Sequence, residues 1–238
     1  MNGFTDKAEA KNLTVNGKME GKWIENVDSM GNHTDNPNSG YYGLAIYNNG
    51  VPVGIARFYY KKSGKLLADI CYINGVKNGL LRHYYEDGKL KMEVMETNGK
   101  ESGVGKYYYE SGKLKTEIPC TNGSPNGIQK IYDESGVLKA EYSYVNGFKN
   151  GITRFYYQDG KLKQEACYSN DALNGLIKEY YEDGKLKAEA PYSNNYRNGV
   201  VKFYYESGKL QSEVTWNNDN WVSTKNYDST GTLINTSH

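Results

Sequence analysis

One string returns along most of this 238-residue chain at a spacing of about 24 residues, and that period constrains the fold more than any other feature. Aligned on the glycines at 54, 79, 103, 127, 151, 175 and 199, three of the seven units read GLLRHYYEDGKLKMEVMETNGKES, GITRFYYQDGKLKQEACYSNDALN and GLIKEYYEDGKLKAEAPYSNNYRN. The first unit carries one extra residue. No helical period fits this text. Each unit is two runs rich in tyrosine and branched aliphatic side chains, parted by Glu-Asp-Gly or Glu-Ser-Gly, and such runs read as strands. A three-residue hairpin loop needs positive φ at its last place, where Gly88, Gly112, Gly136, Gly160, Gly184 and Gly208 stand. A second loop, Asn-Gly-x-x-Asn as at 74–78 and 146–150, leads into the next hairpin. Both loops are too short for a crossover, so successive strands must be antiparallel neighbours. The expected fold is all-β, an elongated, twisted antiparallel meander of tandem hairpins with roughly sixteen to eighteen strands.

The ends depart from the pattern, as terminal units of an array do. Residues 1–53 read as a degenerate N-terminal cap with irregular partial units, 54–222 as seven hairpin units and 223–238 as a partial unit, all within one continuous domain. The last stretch keeps Tyr227, Gly231 and Leu233 but loses the charged residues of the repeat, and Trp216 and Trp221 are expected to cover the last open edge.

Strict alternation, counted from a pairing of Tyr84 with Leu90, sorts each unit into two faces. One carries an aliphatic position (Ile55, Leu80, Val104, Ile128, Ile152, Leu176, Val200), the first tyrosine and the leucine, and is expected to be the packed face. A basic residue recurs on it, from Arg57 and Arg82 to Lys202, in a place suited to lying over tyrosine rings. The other face carries the second tyrosine, a lysine row at 91, 115, 139, 163 and 187, and a glutamate row at 93, 117, 141, 165, 189 and 213, and is expected to meet water.

The repeated string G-x-x-K-x-Y-Y-E-D-G-K-L-K-x-E-x-x-Y-x-N-G, running from about Gly43 to Leu233, resembles the bacterial variant of the MORN repeat and is similar to proteins of the YwqK-type antitoxin family. The resemblance implies a hairpin-repeat scaffold. For function it implies one of several roles known for such repeats: lipid binding, protein scaffolding, dimer formation or toxin neutralisation. The chain lacks the Tyr-x-Gly-x-Trp opening of the eukaryotic form, which counts against the membrane role.

The 29 basic and 28 acidic side chains leave a formal net charge of +1, so no global field draws nucleic acid or an acidic membrane. Cys71, Cys120 and Cys167 fall in different units, a hairpin or more apart, and are expected as free thiols. No apolar run reaches the ~20 residues of a membrane span, and the opening MNGFTDKAEAKN is polar. The chain as given reads as soluble and cytoplasmic, or as exported or cell-envelope material if a leader has been removed.

Catalysis needs unlike residues gathered at one place, whereas the polar residues here recur at a fixed pitch. His33, His83 and His238 are far apart in the pattern, no thiol has a histidine near it, and the Gly-Lys pairs follow hairpin turns instead of opening a phosphate loop. No enzyme, cofactor or metal site is expected. The expected activity is protein binding, through the second tyrosines Tyr60, Tyr85, Tyr109, Tyr157, Tyr181 and Tyr205 and the loop residues Phe148, Tyr196 and Arg197. Aromatic side chains give rigid contact area at low entropy cost. An antitoxin or immunity-like scaffold is the first reading. A glycan- or lipid-binding envelope protein is the second, and a self-assembling element the third. A homodimer is one way to cover a wet apolar face.

Overall fold

Two kinds of turn, each placing residues at positive φ, fold the chain into hairpins. At one edge, Tyr85 N–H donates to Lys89 O (2.8 Å) and Gly88 N–H to Tyr85 O (2.9 Å), closing a three-residue loop with Gly88 at φ 96°. The Asp87 carboxylate accepts from Lys89 N–H at 2.9 Å and fixes the same loop. At the other edge Asn74 and Gly75 both take positive φ, 48° and 81°, the mirror-image turn whose twist matches that of the strands. A two-residue strand, Val76–Lys77, follows, and then the register shifts: residues 70–71 face 78–81 across the pair. Gly79 sits in that bulge at φ 123°, where an added Cβ would lie 2.9 Å from Cys71 Cβ. Gly79 is therefore needed at this place for backbone angle and space together, as are Gly175 and Gly199, while Gly103 answers to backbone angle alone.

The computed structural model describes residues 2–238 and falls into two compact units, one ending at Ser124 and the other Pro125–His238. Apart from one 3-10 turn, Lys7–Glu9, the regular elements among the described residues are 24 strands. Five of them are two-residue stubs, such as Val76–Lys77 and Phe148–Lys149, that the glycine bulge detaches from the strands they precede, which leaves nineteen, one more than the sixteen to eighteen expected. In the first unit the strands from Leu13–Val15 to Leu114–Thr121 pair antiparallel in chain order. In the second the same holds from Gly127–Tyr132 to Leu233–Ser237.

A second bulge corrects the expected faces. Tyr84 pairs with Leu90 as the sequence suggested, but the next pair is His83 with Met92, so Lys91 is passed over. The same skip occurs at Leu67, Lys115, Lys139, Lys163, Lys187 and Gln211. From there on alternation runs one step out of phase with a strict count. Glu93 stands opposite Arg82, and Glu165 opposite Arg154, so the glutamate row shares a face with the basic row and the first tyrosine. We call this the ion-pair face. The opposite, aromatic face holds the second tyrosine, the lysine row, and Leu81, His83, Met92 and Val94 with their equivalents.

Burial also reverses the expected inside and outside. Over most of the chain the aromatic face is interior, with Leu81, Val94, Thr153 and Val201 at 5%, 3%, 1% and 5% exposure, while Val104 and Ile128 of the supposed core remain 50% and 47% exposed. The expected packing holds only in the first hairpins. There residues 2–12 lie across the ion-pair face: Asn2 O accepts from Ile55 N–H (3.1 Å), Arg57 Nη1 donates to Phe4 O (3.3 Å), and Phe4 packs with Tyr42 and Leu44. The tryptophans do not cover an edge either. Trp216 and Trp221 pair across one hairpin, and Leu233–Ser237, exposed throughout, forms a further strand beyond them, because Tyr227, Gly231 and Leu233 complete another hairpin.

Candidate partner-binding face

The two tyrosines of each unit tie successive units together. The hydroxyl of the second donates to the main-chain carbonyl of the first tyrosine in the following unit: Tyr85 to Tyr108 O (2.7 Å), Tyr157 to Tyr180 O (2.5 Å), Tyr181 to Tyr204 O (2.6 Å) and Tyr205 to Tyr227 O (2.9 Å). Tyr60 reaches Tyr84 O at 3.3 Å. The first tyrosine donates to the glutamate of the preceding unit, as in Tyr156 to Glu141 (2.7 Å) and Tyr204 to Glu189 (3.0 Å). Burial and the carboxylate together push both of these phenols up to about 12. Lysines after the turn glycine add a third tie, Lys161 Nζ donating to Glu182 O and Lys185 Nζ to Glu206 O, both at 2.9 Å. The residues that recur most faithfully are thus the ones that hold unit to unit.

This changes how the expected binding residues stand. Tyr60, Tyr85, Tyr109, Tyr157, Tyr181 and Tyr205 are half-buried on the aromatic face, and in five of them the hydroxyl is engaged in a tie, while the Tyr109 ring lies 5.3 Å beneath Lys115 Nζ. Their rings can contact a partner; their hydroxyls serve the scaffold. Phe148 and Tyr196 are the most exposed of the set, at 53% and 54%, and pair with Val145 and Ser193. Alternation puts them on the ion-pair side, away from Lys149 and Arg197. The expected residues therefore divide between two surfaces.

On the aromatic face the two units differ in what fills them. In the first, Phe58, Leu67, Ile70, Leu81 and Val94 form one buried cluster with Tyr60, Tyr72 and Tyr107 packed against it. Beside it Glu96 pairs directly with Glu101, and burial raises the Glu96 carboxyl. The neighbouring Cys120 thiol is pushed up to about 11 by burial and by Glu101. In the second unit the interior positions are small: Ala140, Thr153, Ala166, Ala188 and Val201. Rings stand around them. Tyr142 meets Phe155 edge-on with centroids 5.8 Å apart, and Lys149 Nζ lies between Tyr142 and Tyr168, 4.9 and 5.4 Å from their centroids. Lys163 Nζ is 5.7 Å from the Tyr157 ring, and the Arg197 guanidinium stacks 3.6 Å above Trp216 while bonding Asp219 at 2.8 Å.

Across adjacent strands one column of this face runs Phe155, Gln164, Glu179, Ala188, Phe203, so that a carboxylate stands midway between two rings. Glu179 Oε2 is 3.9 Å from Lys187 Nζ. Around it opens a depression of about 220 Å³, floored by Ala188 and Ala190 and walled by Gln164, Ile177, Tyr192, Arg197, Val201 and Phe203. Phe203 keeps 38% of its surface in water. Arg197 is among the residues expected from the sequence, and Glu179 is an acid at the place where Phe155 and Phe203 carry rings. Tyr142, Phe155, Tyr168 and Phe203 were not expected, because the skipped lysine concealed which face they share; for Phe155 and Phe203 the signal was the variable second and fourth positions after each repeat glycine.

A second cluster lies in the first unit, outside the repeats. His33 bonds Glu25 (2.9 Å) and Asp35 (3.2 Å), and these carboxylates raise its pKa, while Tyr47 donates to Glu25 at 2.7 Å. The group pins the irregular stretch before Tyr41 to strand Lys18–Val27 beside an open groove of about 730 Å³. Among the described residues no group of three or more His, Cys, Asp or Glu side chains is placed to hold a metal ion.

A family model described as the MORN repeat variant matches residues 77–95, 101–121, 125–146, 149–170, 173–194 and 197–218, more than half of the chain and each in phase with the hairpins described above. None of the curated proteins compared with the chain matches it.

Proposed function

The chain belongs to the MORN repeat variant family, a family of repeat-based binding scaffolds, and from that premise we propose that it holds a protein partner on the aromatic face of residues 125–238. The observation that carries this reading is the open row of rings in that unit. Phe203 is 38% exposed where Phe58, at the same place in the first hairpin unit, is 3% exposed. Burying the exposed third of Phe203 under a partner would recover about 0.5–1 kcal/mol that the fold leaves unused. The chain performs no chemistry in this account. The antitoxin or immunity role is the finer form of the reading, in which the partner is a toxin whose active surface the repeat array covers.

Affinity capture with the tagged chain, with bound protein identified by mass spectrometry, tests it. The account expects one stoichiometric protein that is lost when Tyr168→Ala and Phe203→Ala are combined in a chain that still folds. Recovery of envelope glycan or lipid alone, or of a protein indifferent to those substitutions, would sink it.

A further inference from the structure

Charge is distributed unequally between the two faces of the second unit. On the ion-pair face the basic residue of each repeat stands opposite a glutamate, Lys130 with Glu141, Arg154 with Glu165, Lys178 with Glu189 and Lys202 with Glu213, and Arg154 lies 3.2 Å from Glu165 and Lys202 3.4 Å from Glu189. Tyrosine hydroxyls occupy the same glutamates from the other side. The cations and carboxylates of that face thus alternate across the strands.

The aromatic face differs. Lys149 and Lys163 have rings beneath them and are in no ion pair among the described residues, and Lys139 bonds only the neutral Gln158 amide (3.0 Å). The acids near them are Glu179, 3.9 Å from Lys187, Asp133, whose carboxylate is taken up by Ser135, Val137 and Gln158 at the turn, and Asp171, whose carboxylate accepts from the Lys149 backbone N–H at 2.7 Å. The first unit differs at the row beside the Asn-Gly turns, where Glu96 and Glu101 face each other with Lys77 near them, while Lys91 lies over Tyr85 as Lys163 lies over Tyr157.

We infer that the partner presents an acidic segment, carboxylate side chains interspersed with apolar or aromatic ones, to the aromatic face of residues 125–238. This rests on the protein-binding reading above. A lysine head already held over a ring has lost part of its rotamer freedom, so pairing it with an incoming carboxylate costs less entropy than engaging a free surface lysine. The rings between the lysines accept the segment's apolar side chains, and the depression beside Phe203 has room for one of them. Glu179 sets a register, since an acid of the partner placed against it is repelled. A short segment fits better than a large polyanion. The whole unit holds thirteen basic and fourteen acidic side chains, so there is no long-range field for nucleic acid or an anionic bilayer.

The test uses the full chain and a fluorescein-labelled peptide of alternating glutamate and tyrosine, read by anisotropy. Saturable binding is expected at low salt, weakened at about 0.3 M salt. Lys149→Glu with Lys163→Glu should weaken it by at least about tenfold, and Lys149→Met, which keeps the stem over the rings, by a smaller factor. Lys91→Glu with Lys115→Glu in the first unit should leave it within about twofold, with circular dichroism confirming that each variant is folded. The inference is overturned if the peptide does not bind, if a lysine-tyrosine peptide binds as well, or if phosphatidylserine vesicles bind through these lysines while the peptide does not. A captured protein partner that needs Phe203 but ignores salt and both charge reversals would overturn the acidic segment and leave the protein-binding face standing. A partner indifferent to Phe203 as well would take both away.

Discussion

The two units share one hydrogen-bond framework and differ in what they place upon it. In the first, the aromatic face is filled by Phe58, Leu67, Ile70, Leu81 and Val94, and part of the ion-pair face is covered by residues 2–12. In the second, alanines and Thr153 take the interior positions, and rings with lysines over them stand open beside Phe203. The ties that recur, tyrosine to carbonyl and tyrosine to glutamate, are the same in both. Recurrence in this chain therefore marks what joins the units, and the positions that vary decide whether a face is a core or a surface.

Truncating the same column position in each unit should give the largest contrast. Phe58→Ala removes a buried ring and should cost about 3–5 kcal/mol in denaturant unfolding, whereas Phe203→Ala, on a ring the fold only partly covers, should cost about 1–2 kcal/mol. Equal costs would mean that the second unit is as filled as the first. The bulge glycine tests the shared framework instead. Gly79 and Gly175 both sit at φ 123° with a cysteine Cβ 2.9 Å from where their own would be, so Gly79→Ala and Gly175→Ala should each lose about 2–3 kcal/mol. Removing one tie, by Tyr85→Phe or Tyr157→Phe, should cost about 1 kcal/mol in either unit.

Alkaline titration sharpens the same point. Tyr156 and Tyr204 are held at about 12 in the fold against 10.0 for a free phenol. A folded pKa above the unfolded one means that the stabilisation is complete below pH 10 and is lost as pH rises toward 12. Tyrosinate absorbance should therefore rise together with loss of sheet signal in that window. Tyrosinate forming near pH 10 in a chain that stays folded would remove the glutamate tie from the account. The smallest effect expected is kinetic: Cys120, buried in the first unit, should be the last of the three thiols to react with a disulfide reagent, after Cys71 and Cys167.

Much of the fold was legible in the sequence. The glycines gave both turns, and their spacing gave antiparallel hairpins, because each rests on local backbone chemistry. The faces were misread for a local reason too. Lys91 and its equivalents look like ordinary strand residues, but each is the skipped residue of a bulge, and one skipped residue moves Glu93 to the opposite face. Val104 and Ile128 recur as aliphatic residues and so resembled a core, whereas the true interior positions read Ala56, Leu81, Gly105, Gln129, Thr153, Ile177 and Val201 and show no pattern. Of the candidate site, the second tyrosines and Arg197 were legible as aromatic and basic. The rings that surround the Glu179 depression depend on the corrected register and could not be gathered without it.

Hydroxyl-radical footprinting of the full chain, free and with its captured partner, tests the central claim most directly, because neighbouring residues in one strand face opposite ways. The account predicts that Phe203, Tyr168 and Trp216 become protected while Val200 and Ile152 do not change. Protection of Val200 and Ile152 with Phe203 still reactive would place the partner on the ion-pair face and contradict it.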